Sequence, residues 1–250
     1  MGASSGVTLV TGASSGIGRA VAQRLSISGG VILQGRDEAR LRSARDACDG
    51  EGHLIWQRDF AELGGVGPDL AAFVKTHEVE VANVVHCAGV ATVGPARLID
   101  RRQVQHAMDV NVSSGLEIVA QLLKRPVNGA ALKNVVFISS IWGQFGSAGH
   151  VVYSATKGAL DAAMRSLAVE LAPRVRVNTV SLGAVETPMA ARALADPAIR
   201  DRLAADYPLG LGAPTNVADA VEFLISDAAS WMTGQILVVD GGRTSHMSNR

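Results

Sequence analysis

Net charge is the first thing this chain lacks. Its 23 Lys and Arg residues match its 23 Asp and Glu residues. The basic excess that marks nucleic-acid and membrane-surface binders is therefore missing. Cysteine is scarce as well. Cys48 and Cys87 are the only two, too few for a secreted disulfide framework, which points to a reducing cytoplasm. No apolar run approaches the roughly 20 residues that a membrane helix needs. The stretch 115–123 is interrupted by Glu117 and Gln121. The opening residues carry neither a basic segment nor a long apolar one, so no secretory signal is expected. No His, Cys, Asp or Glu cluster has metal-ligand spacing, and no catalytic metal is expected. Aromatic residues make up only 4% of the chain.

What is present is apolar material and glycine. The chain has 250 residues, of which 48% are hydrophobic and 27 are Gly. That suffices for one sizeable core at the upper end of a single domain. Short β-branched runs at 7–10, 30–34, 53–57, 81–86, 134–139, 175–181 and 235–239 are almost continuously apolar, as parallel strands covered on both faces should be. Between them, turn-spaced apolar residues predict helices at 18–26, 38–48, 69–76, 101–124, 153–171 and 215–226. Strand–helix alternation throughout predicts an α/β protein with a doubly wound parallel sheet. One domain spans 1–250, with a flexible leader at 1–6 and an unpacked tail at 244–250.

The pentapeptide Gly-Ala-Ser-Ser-Gly occurs twice, at 2–6 and 12–16. The first copy precedes a strand and reads as part of the leader. The second follows a strand and opens a helix, the context a phosphate-binding turn requires. There Gly12 allows a sharp reversal, Gly16 leaves room for a cofactor, and Gly18 allows close packing of the helix. The helix N-terminus offers unpaired N–H groups and a positive dipole end to a pyrophosphate.

Tyr153 and Lys157 stand four residues apart, on one helix face. A free phenol has pKa ~10, so it works near neutrality only with help. An ammonium alongside, with a positively charged cofactor ring nearby, is expected to lower that value. On spacing alone the pair is weak evidence, since any helix can carry it by chance as a surface tyrosine and a solvated lysine. The glycine turn and the Tyr-x-x-x-Lys pair, at this separation, resemble the short-chain dehydrogenase/reductase family over nearly the whole chain, from Val7 to Gly242. The resemblance implies a Rossmann fold and hydride transfer between NAD(P)(H) and a carbonyl or alcohol. Within it, the chain is similar to bacterial 3-oxoacyl-thioester reductases.

The resemblance also implies roles. Tyr153 is the acid/base, and Lys157 assists it and binds the nicotinamide ribose. Ser140, 13 residues before Tyr153, holds the substrate oxygen, with Ser139 a competing candidate. Asn111 belongs with the catalytic group, holding a relay water on its main chain, although a mid-helix Asn is ordinarily exposed or a local kink. Ser14, Ser15, Ile17, Asp59, Phe60, Ala88, Gly89, Gly183, Val185 and Thr187 fall at cofactor-contacting positions. Cys87 replaces an Asn usual in the family and reads as a buried, inert thiol. Trp142, Gln144, Phe145 and His150 are expected to rim the substrate pocket, and 188–208 to form a substrate lid of mixed charge.

Cofactor choice turns on the end of the second strand. NAD enzymes place an acid there for the ribose 2′-OH, where this chain has Gly35. Arg36 follows and Arg40 comes one turn later, suited to a 2′-phosphate. NADP(H) is therefore preferred and NAD(H) remains possible, because Asp37 and the uncharged Ser15 weigh the other way. By resemblance a homotetramer is expected, or a dimer, built on helices 101–124 and 153–171 and on the last strand. A small carbonyl or alcohol is the expected partner, with no nucleic acid and no membrane. Two alternatives stay open: an NAD-dependent alcohol, sugar or steroid dehydrogenase, and a dinucleotide-binding sensor or scaffold without turnover.

Overall fold

Neighbouring residues on a strand point to opposite faces, so a run such as Val31-Ile32-Leu33 requires apolar cover on both sides. The fold supplies it. In the computed structural model, which describes residues 6–62, 65–191 and 194–245, seven parallel strands form one sheet. They are β1 (Val7–Thr11), β2 (Val31–Gly35), β3 (Leu54–Gln57), β4 (Val81–His86), β5 (Asn134–Ser140), β6 (Arg176–Leu182) and β7 (Ile236–Val239), in the order β3-β2-β1-β4-β5-β6-β7. Each begins or ends within one residue of its predicted span. Leu9, Ile32, Val84, Val135 and Phe137 face one core, while Val10, Leu33, Val85, Val136 and Val180 face the other.

Helices α3 (Val66–Thr76), α5 (Ser114–Leu122) and α7 (Val151–Leu171) close the first core through Leu70, Ile118, Leu122, Leu160 and Met164. Helices α1 (Gly16–Ser26), α2 (Glu38–Arg45) and α10 (Pro214–Ile225) close the second through Val21, Leu25, Leu41, Val217 and Leu224. Truncating any of these fully buried side chains to Ala costs about 2–5 kcal/mol in transfer and cavity energy.

Three departures from the sequence expectations matter. The predicted helix 101–124 is interrupted: α4 (Arg101–Met108) runs into a π-helical segment, Asp109–Ser113, before α5 begins. The chain then adds the short α6 (Arg125–Asn128), which was not expected. The lid segment holds two short helices, α8 (Pro188–Ala191) and α9 (Pro197–Ala204), the latter capped by Asp196, which accepts from Ala198 N–H at 2.9 Å. Of the expected leader, residues 1–5 lie outside the described residues, as do 192–193 of the lid and 246–250 of the tail. Thr244, placed in the tail by sequence, donates its N–H to Asp240 Oδ2 at 2.7 Å.

The order of strands reverses between β1 and β4. Chains leaving the carboxyl ends of these two strands turn to opposite sides and open a crevice, the usual ligand position in such sheets.

Candidate active site

The crevice is a cleft of about 410 Å³. Gly12, Ser14, Ser15, Gly16, Ile17 and Gly18 form one wall, and Ala88 and Gly89 another. Arg36, Asp59, Phe60 and Thr187 also line it. Gly183 and Val185 follow β6. A Cβ on Gly183 would lie 2.7 Å from Tyr207, and Val185 bridges to Gly212.

The turn has the geometry a dinucleotide needs. Gly12 takes φ +64° and Gly16 φ +52°, a region disfavoured for other residues. Gly18 is required by contact instead: a Cβ there would sit 2.3 Å from the Gly12 carbonyl oxygen. Its packing is thus against the turn itself. The open N-terminus of α1 has no side-chain cap, so its N–H groups are directed at the cleft, where a pyrophosphate would satisfy them.

The cleft also carries three cations. Arg36, Arg40 and Arg58 all line it beside Gly35. Arg58 was missed by the sequence reading, and its signal was there: a cation directly after β3, next to Asp59. Asp37, counted against NADP from sequence, caps α2 by accepting from Arg40 N–H at 3.0 Å. Asp59 Oδ1 accepts from Ala61 N–H at 2.9 Å, which fixes its turn while leaving it on the cleft wall. The fit to a nicotinamide dinucleotide therefore rests on the glycine turn at one point and three guanidinium groups at another.

Two of the catalytic candidates lie against the cleft wall at Gly89. A Cβ on Gly89 would lie 3.4 Å from Asn111 Oδ1 and 3.6 Å from Lys157 Nζ, so the wall of the cleft touches both. Ser140 ends β5 and is 6% exposed. Its Oγ accepts from Trp142 N–H at 3.3 Å and donates to the Leu182 carbonyl at 3.4 Å. Ser139 turns away, donating to the Lys157 carbonyl at 3.3 Å. Tyr153 and Lys157 share a face of α7, with Nζ 5.6 Å from the phenol ring centroid. Lys157 Nζ donates to the Ile138 carbonyl at 2.8 Å.

The electrostatics of the free protein are set by burial. In the free protein the Tyr153 phenol is held above its ordinary value, because burial penalises the phenolate more than its Ser140 hydrogen bond favours it. Without a nicotinamide ring beside it, the ammonium of Lys157 is directed at the Ile138 carbonyl. Burial pushes Lys157 itself down to about 8, with Cys87 and Asp161 acting in the opposite sense. Cys87 lines the cleft, and burial raises its thiol to about 12 against the influence of Lys157. It stays protonated and unreactive.

Asn111 is fully buried within the π-helical segment, where a mid-helix Asn would ordinarily be exposed. Its Oδ1 accepts from Val90 N–H at 2.7 Å, and its Nδ2 donates to the Val90 carbonyl at 3.0 Å and to Thr156 Oγ1 at 2.9 Å. Trp142, His150 and Tyr153 form a row of rings, 5.8 Å between the first two centroids and 6.5 Å between the last two. Phe145 is 51% exposed, and the Gln144 amide donates to Ser181 Oγ at 3.1 Å. Among the described residues, no three His, Cys, Asp or Glu side chains gather where a metal would bind, and no helix is long and apolar enough to cross a membrane.

Comparison with known proteins agrees with this geometry. Residues 12–244 match a family model described as enoyl-(acyl carrier protein) reductase. The chain is 34% identical over 242 residues to L-xylulose reductase of Bos taurus, covering 94% of each protein. It is 34% identical over 241 residues to 3-oxoacyl-[acyl-carrier-protein] reductase of Salmonella typhimurium, covering 94% of this chain and 96% of that one. A solved short-chain type dehydrogenase/reductase from Mycobacterium ulcerans superposes with TM-score 0.86 at 30% identity, covering 97% of this chain and 91% of the other.

Proposed function

The chain belongs to the short-chain dehydrogenase/reductase family, and from that premise we propose that it is an NADP(H)-dependent reductase of an uncharged carbonyl substrate, running in reverse as an alcohol dehydrogenase. The observation that carries this reading is a single cleft. The glycine turn and Arg36, Arg40 and Arg58 line it, and its wall at Gly89 lies against Asn111 and Lys157, whose Nζ is 5.6 Å from the Tyr153 ring centroid.

Each group has a definable task. A nicotinamide dinucleotide, when bound, supplies or accepts the hydride. Ser140 exchanges its long, 3.4 Å hydrogen bond to Leu182 for one to the substrate oxygen. Tyr153 gives its proton to that oxygen as negative charge develops there, or removes it in the reverse direction. Lys157 faces the phenol ring and stabilises the phenolate left behind. Asn111 fixes the Val90 backbone and Thr156, and so the relative placement of cleft wall and α7.

The arginines set cofactor choice. A Cβ on Gly35 would meet Leu41 Cδ2 at 3.2 Å and Ser14 at 3.4 Å. An acidic side chain there has little room, and Arg36, with Arg40 and Arg58, favours a 2′-phosphate. On the substrate side, Trp142 and His150 offer ring faces. One lid charge is already neutralised, since Arg200 donates to Glu186 at 2.6 Å. A ketone flanked by uncharged groups suits this wall. The 3-oxoacyl thioester named for the Salmonella relative is the first substrate to test, and the polyol carbonyl of the Bos taurus relative is the second. The reading extends to a cytoplasmic homotetramer.

The test is a panel of ketones followed by nucleotide absorbance with NADPH and NADH in parallel. We expect NADPH to be favoured by at least about tenfold in kcat/KM, equivalent to ~1.4 kcal/mol, and Arg36→Ala to remove most of that preference. Preference for NADH, unchanged in Arg36→Ala, would overturn the cofactor assignment.

A further inference from the structure

We propose that His86 is a positioning residue, which ties the phosphate turn to the Tyr153 helix by holding the main chain of Asn111. The proposal rests on the assignment of Tyr153 and Lys157 made above.

His86 ends β4 and is 1% exposed. Its Nδ1 lies 3.0 Å from Thr11 Oγ1, and its Nε2 3.2 Å from the Asn111 carbonyl. The direction of these hydrogen bonds follows from their partners. The Asn111 carbonyl can only accept, so Nε2 carries a proton; in the neutral ring Nδ1 then accepts from Thr11 Oγ1, which itself accepts from Ala88 N–H at 3.0 Å. The far side of Asn111 grips Val90 and Thr156, and Thr156 Oγ1 donates to the Tyr153 carbonyl at 2.7 Å. A continuous set of hydrogen bonds thus runs from the residue before Gly12 to the helical turn between Tyr153 and Lys157.

The space for the ring is made on another element. A Cβ on Gly115, in α5, would stand 2.9 Å from His86 Cδ2 and 3.1 Å from Cγ and Nε2. His86 and Gly115 are therefore a size-matched pair across β4 and α5. Phe60 and Phe137 enclose the ring, with centroids at 6.4 and 6.1 Å. Cys87 is the next residue along the chain, and Lys157 is the charge that acts on the ring. Burial holds the imidazole far below its usual value, at about 3, with Lys157 acting in the same direction.

If His86 only filled space, any side chains of equal bulk would serve. The double variant His86→Val with Gly115→Ala restores most of the volume and removes both hydrogen bonds. We expect it to bind NADPH, read by nucleotide fluorescence, within about threefold of wild type. Its kcat should fall at least ~10-fold, since a misplacement of about 1 Å can cost ~100-fold. His86→Gln, whose amide can donate in the same direction, should stay within about threefold of wild-type kcat. Wild-type kcat in the double variant would overturn the proposal, and so would a loss confined to NADPH affinity. Should the double variant not fold, ¹⁵N spectra of the wild-type imidazole decide. A neutral ring protonated on Nε2 from pH 5 to 9 is expected, and titration in that range or a proton on Nδ1 overturns it. Wild-type protein without NADPH turnover would defeat the catalytic reading instead, and the ¹⁵N spectra would still judge His86.

Discussion

At the residue scale, burial outweighs partner charge throughout the site. Tyr153 and Lys157 are both moved toward their neutral forms, and the change that favours the phenolate must come with cofactor and substrate. Sequence spacing placed the two side chains on one helix face but gave no measure of solvent exclusion, which is what raises the phenol in the free protein. His86 follows the same physics. Its folded value of about 3 lies below the ordinary 6.5. Between those values the unfolded chain binds a proton that the folded chain refuses. Stability from the neutral ring is therefore complete above about pH 6.5 and is lost as pH falls toward 3. Thermal melts of wild type should fall more steeply between pH 6 and pH 4 than those of His86→Gln. Equal slopes would show that the ring is not held neutral by the fold.

At the element scale, the glycine turn and the π-helical segment place the chemistry. The turn was legible because its glycines answer local demands: left-handed backbone at Gly12 and Gly16, and contact at Gly18. Gly18→Ala puts a methyl 2.3 Å from the Gly12 carbonyl, and the turn must shift. We expect roughly 1–3 kcal/mol of lost stability, as for overpacking elsewhere, and a clear drop in NADPH affinity by fluorescence titration. Unchanged affinity would remove the turn from the binding site. The strands were equally legible, because parallel strands covered twice are written as apolar runs. The break in the helix 101–124 was not. Asp109-Val110-Asn111-Val112 keeps helical periodicity, and the extra residue in the turn follows from tertiary bonds made by Asn111 to Val90 and Thr156. His86 was not singled out by the sequence reading, since its partner Gly115 is brought near only by the fold.

At the scale of the whole molecule, one sheet with two cores carries a cleft at the point where strand order reverses. The outer surface leaves Val169 on α7 83% exposed and Val238 on β7 41% exposed, on two of the elements expected to join subunits. Val169→Glu should convert a tetramer to smaller species in sedimentation velocity, with little effect on monomer stability, as for most surface changes. Unaltered sedimentation would move the interface elsewhere. The account stands most directly on the phenol of Tyr153. Turnover of a 3-oxoacyl thioester or another ketone by NADPH should be measured for wild type and Tyr153→Phe, with NADPH binding followed in the same samples. We expect Tyr153→Phe to bind NADPH as wild type does and to lose about 10²–10⁴-fold in kcat, the worth of a positioned acid. A variant that turns over at the wild-type rate would contradict it.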